Sequence, residues 1–330
     1  MRIEFEDVCV DFPGHRALEA ASGEIAAGSV TAIIGPSGAG KSSLLGVLSG
    51  LVRPDRGVVR FDGEDVTGWP AERRRLGVVF QELRLFDFLT GRGNVGFAPR
   101  LAGLVPEEAR RRVDEALALV RAERFADRSA RVLSGGERQR IARARALAMQ
   151  PRALLLDEPF AALDAELRRT LRDELCELVR RLGLTVLAVT HDREDAFALA
   201  SRFIVLRGGR VEQAGDAVEL YQRPATEFVA TLLGEATLLP ITAREGDRAQ
   251  VLGEWIAVTG EGSRVVLRPE DVELAESGPG WPASLVGAQF AGSTWRLVAL
   301  PRETRLVATA NRVPSGKLFV RLRRSAGTLS

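Results

Sequence analysis

Two rhythms of apolar and polar positions alternate along this chain to about residue 215, and a third takes over beyond about residue 235. Short, nearly unbroken apolar runs recur: Val30-Thr31-Ala32-Ile33-Ile34, Val58-Val59-Arg60-Phe61, Leu76-Gly77-Val78-Val79-Phe80, Ala153-Leu154-Leu155-Leu156 and Thr185-Val186-Leu187-Ala188-Val189. Runs of this kind predict strands, and the last two predict strands covered on both faces by helices. Between Leu83 and Leu133 the period lengthens. Val113, Ala116, Leu117 and Val120 share one helical face, while Arg110, Arg111, Arg112 and Glu115 fall largely off it. Pro106-Glu107-Glu108 suits the start of that helix, with proline early and acids near the positive end. The pattern predicts an α/β core carrying a helical insertion over about residues 83–150.

Beyond Glu235 the runs become short and β-like: Trp255-Ile256-Ala257-Val258, Arg264-Val265-Val266-Leu267, Trp295-Arg296-Leu297-Val298-Ala299 and Lys317-Leu318-Phe319-Val320. Pro269, Gly278-Pro279-Gly280 and Pro314-Ser315-Gly316 punctuate them, predicting a small all-β domain of barrel type over 236–330. With 330 residues the chain has room for two cores, since single domains usually stop growing near about 250 residues. A hydrophobic share of 45% with 27% charged residues fits a soluble globular protein, and a net charge of +2 gives no global field for nucleic acid. No apolar stretch approaches the ~18 residues that a bilayer span requires, and Met1-Arg2-Ile3-Glu4-Phe5-Glu6 does not read as a secretion signal. Cys9 and Cys176 lack metal spacing and are expected to be buried thiols.

The chemistry starts at Gly35-Pro36-Ser37-Gly38-Ala39-Gly40-Lys41-Ser42, followed by Ser43, between a strand-like and a helix-like run. Glycines let successive N–H groups turn inward toward phosphate oxygens, and the helix start behind them favours the same anion. Lys41 is expected to reach the β/γ-phosphates and the Ser42 hydroxyl to hold Mg²⁺. Only Lys41 and Lys317 are lysines; the other basic residues are arginine. A compact point charge is thus kept where a phosphate needs one. Asp157-Glu158 ends the apolar run Ala153–Leu156, and strand alternation would aim the two acids in different directions, one toward Mg²⁺ and one toward an attacking water. Ser134-Gly135-Gly136-Glu137 has capping-box spacing, predicting a helix start. Capping does not explain Gly135-Gly136, which cost helix propensity about 1 kcal/mol each; close approach of a phosphate to the backbone does.

Taken together these residues resemble the nucleotide-binding subunit of an ATP-binding-cassette (ABC) transporter, over about residues 1–235. The resemblance implies a P-loop ATPase with ATP and Mg²⁺ as cofactors. In it Phe12 stacks on adenine, Gln81 touches Mg²⁺ and the attacking water, and Asp157 and Ser42 serve the metal. Glu158 activates the water, and His191 contacts the γ-phosphate. Ser134, Gly135, Gly136 and Glu137 match the family signature, and Asp164 in Ala161-Ala162-Leu163-Asp164 matches its acidic loop. It also implies a head-to-tail pair of copies sandwiching two ATPs, each P-loop facing the partner's signature.

Arg264-Val265-Val266-Leu267-Arg268-Pro269-Glu270-Asp271-Val272-Glu273-Leu274 resembles the hallmark of the OB-like accessory (TOBE) domain of importer ATPases. That implies integral permease subunits, an indirect link to a solute-binding protein, and a peripheral place on the cytoplasmic face of the inner membrane. Phe80-Gln81-Glu82-Leu83-Arg84-Leu85-Phe86 with Arg92-Gly93-Asn94 resembles molybdate-type ATPases. Gly234-Glu235-Ala236-Thr237-Leu238-Leu239-Pro240 is closer to ferric-iron and polyamine types. A mineral or organic ion is favoured as cargo; a sugar importer is the alternative. A non-transport ABC ATPase of DNA repair or translation would carry a coiled-coil insertion, Cys pairs or a second cassette, none of which is present.

Overall fold

The computed structural model describes residues 1–161, 164–277, 280–315, 317–322 and 326–329. Ala162 and Leu163 of the acidic loop, Gly278 and Pro279, and Gly316 therefore lie outside the described residues. From the N-terminus an antiparallel hairpin, β1 (Ile3–Phe12) and β2 (His15–Ile25), leads into β3 (Val30–Ile34) and helix α1 (Lys41–Ser49). β4 (Arg56–Phe61), β5 (Glu64–Asp65) and β6 (Leu76–Val79) follow. The helical insertion contains α2 (Gly91–Val95), α3 (Phe97–Leu101), α4 (Pro106–Leu119) and α5 (Gly135–Leu147). β7 (Ala153–Asp157), α6 (Ala165–Leu182), β8 (Thr185–Thr190), α7 (Arg193–Leu199), β9 (Arg202–Arg207) and β10 (Arg210–Asp216) complete a first unit, Met1–Ala217.

The central sheet has the order β10-β9-β3-β8-β7-β6, parallel except for β10. A separate antiparallel sheet runs β2-β1-β4-β5. Both faces of β7 and β8 are buried, as their unbroken apolar runs predict. Leu154, Leu156, Val186 and Ala188 join the core with Leu117, Ile141 and Leu171, whereas Ala153, Leu155, Leu187 and Val189 join the one with Ile3, Leu44 and Leu48. α4 starts with Pro106 in its first turn and buries Val113, Ala116 and Leu117. β6 stops one residue short of the expected Phe80, because its pairing with β7 ends at Val79 opposite Leu156. Cys9 is buried, but Cys176 is only half-buried, against the expectation; its Sγ lies 3.3 Å from Ala198 O.

The second unit, Val218–Ser330, begins within α8 (Ala217–Gln222) and includes α9 (Glu227–Leu233). The division therefore falls ahead of the expected residue 235. The reason is local: Ala230 of α9 packs with Val266 and Leu329 of the β structure. Arg268 fastens the same helices, with Nη1 donating to Ala230 O at 2.7 Å, Nη2 to Tyr221 O at 3.0 Å, and its guanidinium 4.1 Å from the Tyr221 ring centre. The β structure is two sheets around a common cluster that includes Leu239, Val251, Val265, Trp281 and Val320. Strand pairs are antiparallel except Glu254–Thr259 with Ala326–Leu329, which is parallel. Among the described residues no helix is long and apolar enough to cross a membrane.

Arg268 is almost fully buried, so its removal strands the Ala230 and Tyr221 carbonyls away from water. Arg268→Ala is expected to destabilise the protein by about 2–4 kcal/mol in urea unfolding. An unchanged midpoint would show that the guanidinium does not hold the helices to the sheets.

Candidate nucleotide site

β3 and α1 are joined by a loop that the surrounding backbone presses closely. A Cβ on Gly35 would run into Leu206 O, and one on Gly40 into Ala17 O. Gly40 also takes φ +98° as the residue before α1, a left-handed conformation that disfavours side chains. Lys41, the first residue of α1, is buried and turns its Nζ back to Gly35 O at 2.8 Å and Pro36 O at 2.9 Å. Burial lowers its pKa, with the Glu158 and Asp157 carboxylates pulling the other way.

Asp157 is the last residue of β7, opposite Val189 of β8. Ser42 Oγ lies 3.4 Å from Asp157 Oδ1, so hydroxyl and carboxylate converge across the loop. Burial, then the neighbouring Glu158, raises the Asp157 pKa. Glu158 is not on the strand. It takes φ +46°, unusual for a residue with a side chain, and its N–H donates to Val189 O at 2.9 Å. This turn, rather than strand alternation, separates the two acids. The Glu158 side chain is 13% exposed, and its carboxylate accepts from His191 N–H at 3.1 Å and Thr190 Oγ at 3.3 Å. His191 Nδ1 lies 2.8 Å from Glu158 Oε1, with the imidazole itself 63% exposed.

Lys41, Ser42, Asp157, Glu158 and His191 therefore gather at one edge of the central sheet. No hydrogen bond joins Phe12, Gln81, Ser134 or Asp164 to them among the described residues. Phe12 is the last residue of β1, paired with His15 and 45% exposed. Gln81 is exposed just past β6. Ser134 caps α5 in a full capping box: its N–H donates to Glu137 Oε2 at 2.9 Å, and its Oγ accepts from Glu137 N–H. Hydrogen bonds from Ser134 hold the Glu137 carboxyl below its usual range. The two glycines of that helix start differ. Gly136 is buried with Leu167 against it, whereas a Cβ on Gly135 would meet nothing within 4 Å. Asp164 caps α6, accepting from Leu167 N–H at 2.9 Å.

Sequence reasoning missed the structural role of two kinds of residue. Thr190 is a polar residue closing an apolar run, which is the signal that would have found it. Arg145 donates to Leu83 O and Arg84 O at 2.7 and 2.6 Å, and buried Asn94 holds Phe86 N–H at 2.7 Å. They tie the segment after Gln81 to α5 and α2. Backbone acceptors leave no trace in side-chain pattern.

The donor set also bears on a metal. No cluster of three His, Cys, Asp or Glu side chains suited to an ion occurs among the described residues. A hydroxyl and one carboxylate fit Mg²⁺ instead, which keeps several waters and completes its shell with substrate phosphates.

A glycine-rich loop before a helix, with a hydroxyl and two acids at its mouth, defines a P-loop nucleotide-binding cassette. A family model described as ABC transporter matches residues 18–161. The sulfate/thiosulfate import ATP-binding protein CysA of Rhodopseudomonas palustris is 42% identical over 289 residues, 85% of this chain and 83% of that one. The Fe(3+) ions import ATP-binding protein FbpC of Streptomyces coelicolor is 42% identical over 88% of this chain and 84% of its own. The spermidine/putrescine import ATP-binding protein PotA of Nitratidesulfovibrio vulgaris is 40% identical over 85% and 80%. A dimeric bacterial ABC transporter cassette aligns with a TM-score of 0.59 at 33% identity, covering 65% of this chain and 98% of that one. A second dimeric structure, of a post-hydrolysis state bound to ADP and Pi, aligns with a TM-score of 0.58 at 32% identity over the same shares. The chain belongs to the ABC transporter family, as an ABC-type ATPase.

Asp157 supplies a test independent of turnover. Its folded-state pKa lies above the ordinary 3.8, so its ionised form opposes folding once pH rises past that value. Asp157→Asn is expected to raise the Tm of the nucleotide-free protein at neutral pH. The gain should fade as pH falls through the folded pKa and vanish below the ordinary 3.8, where both states are protonated. A variant less stable than wild type at neutral pH would reverse the assignment.

Proposed function

We propose that this chain hydrolyses ATP at the edge of its central sheet to energise an importer of a mineral or organic ion. One observation carries the hydrolytic reading: Glu158 is held in a left-handed turn by Val189, Thr190 and His191, while Asp157 faces Ser42. Phosphoryl transfer needs neutralised oxygens and an aligned water more than covalent chemistry. Lys41 and the amides of residues 35–42 bind the phosphates. Asp157 and Ser42 would hold Mg²⁺, which when bound offsets phosphate charge. Glu158 orients the water and takes its proton, with His191 keeping that carboxylate in place and meeting the γ-phosphate. Gln81 completes the approach to the water, and Phe12 stacks on adenine.

Exposed Ser134 and the open space over Gly135 support a composite site, in which a second copy delivers its helix start to the γ-phosphate. The importer reading rests on the names of the relatives, which are import subunits for sulfate or thiosulfate, ferric ions and polyamines. A sugar cargo is the weaker reading. Permease subunits would dock on the helical insertion. There Phe86, Phe88 and Phe97 cluster with ring centres 4.6 and 5.7 Å from Phe86, and Phe88 is 75% exposed. A groove of about 510 Å³ between α2, α3 and α4 lies in the same insertion. Such a chain works at the cytoplasmic face of the inner membrane, and residues 236–330 serve as its TOBE-like accessory domain.

Glu158→Gln is expected to lower ATP turnover by about 10²–10⁴-fold while nucleotide binding persists; full turnover in that variant would end the assignment. Ser134→Arg should abolish hydrolysis and leave ATP binding to the single chain intact. Unimpaired hydrolysis by that variant as a monomer would exclude the composite site.

A further inference from the structure

Arg168 closes the first turn of α6, its backbone N–H donating to Asp164 O at 2.9 Å. Its guanidinium crosses to α7. Nε donates to Asp195 Oδ1 at 3.1 Å, and Nη2 lies 2.6 Å from both Asp195 Oδ2 and Asp192 Oδ2. Asp195 is almost fully buried, where a carboxylate needs charge-assisted partners. Arg172 Nη1 is a second cation, 3.8 Å from Asp195 Oδ1. An ion pair that only fastened two helices would be complete with Asp195. Asp192 is a different partner: it follows His191 and caps α7, accepting from Asp195 N–H at 3.0 Å.

From Asp192 the bonds lead to the Glu158 turn. Asp192 N–H donates to Thr190 Oγ at 3.0 Å, and that hydroxyl donates to Glu158 Oε2 at 3.3 Å. His191, between them, reaches Glu158 Oε1 with its N–H at 3.1 Å and its Nδ1 at 2.8 Å. Residues 190–192 are therefore pinned to Glu158 on one side and to Arg168 on the other.

We propose that Arg168 is a positioning residue for hydrolysis. It anchors residues 190–192 so that Thr190 and His191 keep the Glu158 carboxylate aimed at the attacking water. The same bonds join the start of α6, at Asp164, to that carboxylate without passing through the sheet. The inference rests on Glu158 being the group that activates the water.

Arg168→Met is expected to lower kcat by about ten- to a hundredfold, as misplacement of a reacting group does. The affinity for fluorescent ATP, measured in the same samples, should stay unchanged and reports that the variant is folded. Asp192→Ser keeps a capping oxygen but falls short of the guanidinium. It leaves buried Asp195 paired with Arg168, and it should lower kcat in the same way. Placed on Glu158→Gln, either change should cost nothing further, because residues acting as a unit are not additive. The chain has two histidines, His15 and His191, so the imidazole signal of His191 can be followed by NMR. Both variants should move that signal and leave the His15 signal in place. The proposal is overturned if kcat is unchanged in both variants, if their losses add to that of Glu158→Gln, or if the His191 signal does not move. Full turnover by Glu158→Gln alone is the separate outcome that ends the hydrolytic reading, and this proposal with it.

Discussion

Parallel pairing of β3, β8 and β7 is the constraint on which the site depends. Ile34 lies opposite Thr190, and Asp157 opposite Val189, so three loops leave the sheet at one level. One loop leads into Lys41 and Ser42 at the start of α1, one carries Glu158, and one carries His191. A slip of one residue would send Leu155 and Val189 into the wrong core and swing Asp157 away from Ser42. Open parallel sheets bind ligands at the carboxyl ends of their strands, and here that edge also stores strain. The left-handed Glu158 costs about 1–3 kcal/mol. Burying a single Leu side chain of β7 stabilises the fold by about as much, so the packing of one strand suffices to hold the turn.

The signature helix reaches the same edge indirectly. Arg145 of α5 holds the carbonyls of Leu83 and Arg84, and Asn94 at α2 holds both the N–H and the carbonyl of Phe86. The stretch that follows Gln81 is thus bonded to two helices of the insertion by its backbone. Displacing Gln81 strains those bonds, and displacing α5 pulls on that stretch. This is a contiguous mechanical connection built from three bonds to carbonyls and one from a backbone amide.

Much of this was legible in the order of the residues, for stated reasons. The two-faced burial of β7 and β8 follows from unbroken apolar runs, and the start of α5 from the spacing of Ser134 and Glu137. What was not legible depends on backbone conformation and on distant partners. Glu158 reads as a strand residue because nothing in its side chain announces φ +46°. Gly135 and Gly136 read as one signal, yet Leu167 from α6 gives Gly136 a packing reason that Gly135 lacks. The unit boundary was placed late because α8 and α9 look like the tail of an α/β pattern, while Arg268, far along the chain, draws them to the β sheets.

Cation chemistry is divided in the same physical terms. A guanidinium presents donors in a planar fork suited to several carbonyls at once. Arg74 uses it on Val47 O, Leu48 O, Thr67 O and Trp69 O, closing the end of α1. Arg268 does likewise in the β unit, and Arg145 beside the Gln81 segment. Lys41 instead ends in a compact ammonium on a flexible stem, and it rests on Gly35 O and Pro36 O. Two carbonyl contacts are readily exchanged for phosphate oxygens, whereas four held by a rigid fork are not. Structural arginines therefore stay put while the one lysine of the loop is free to change partners, and Arg143, with two buried donors unmatched, fits neither pattern.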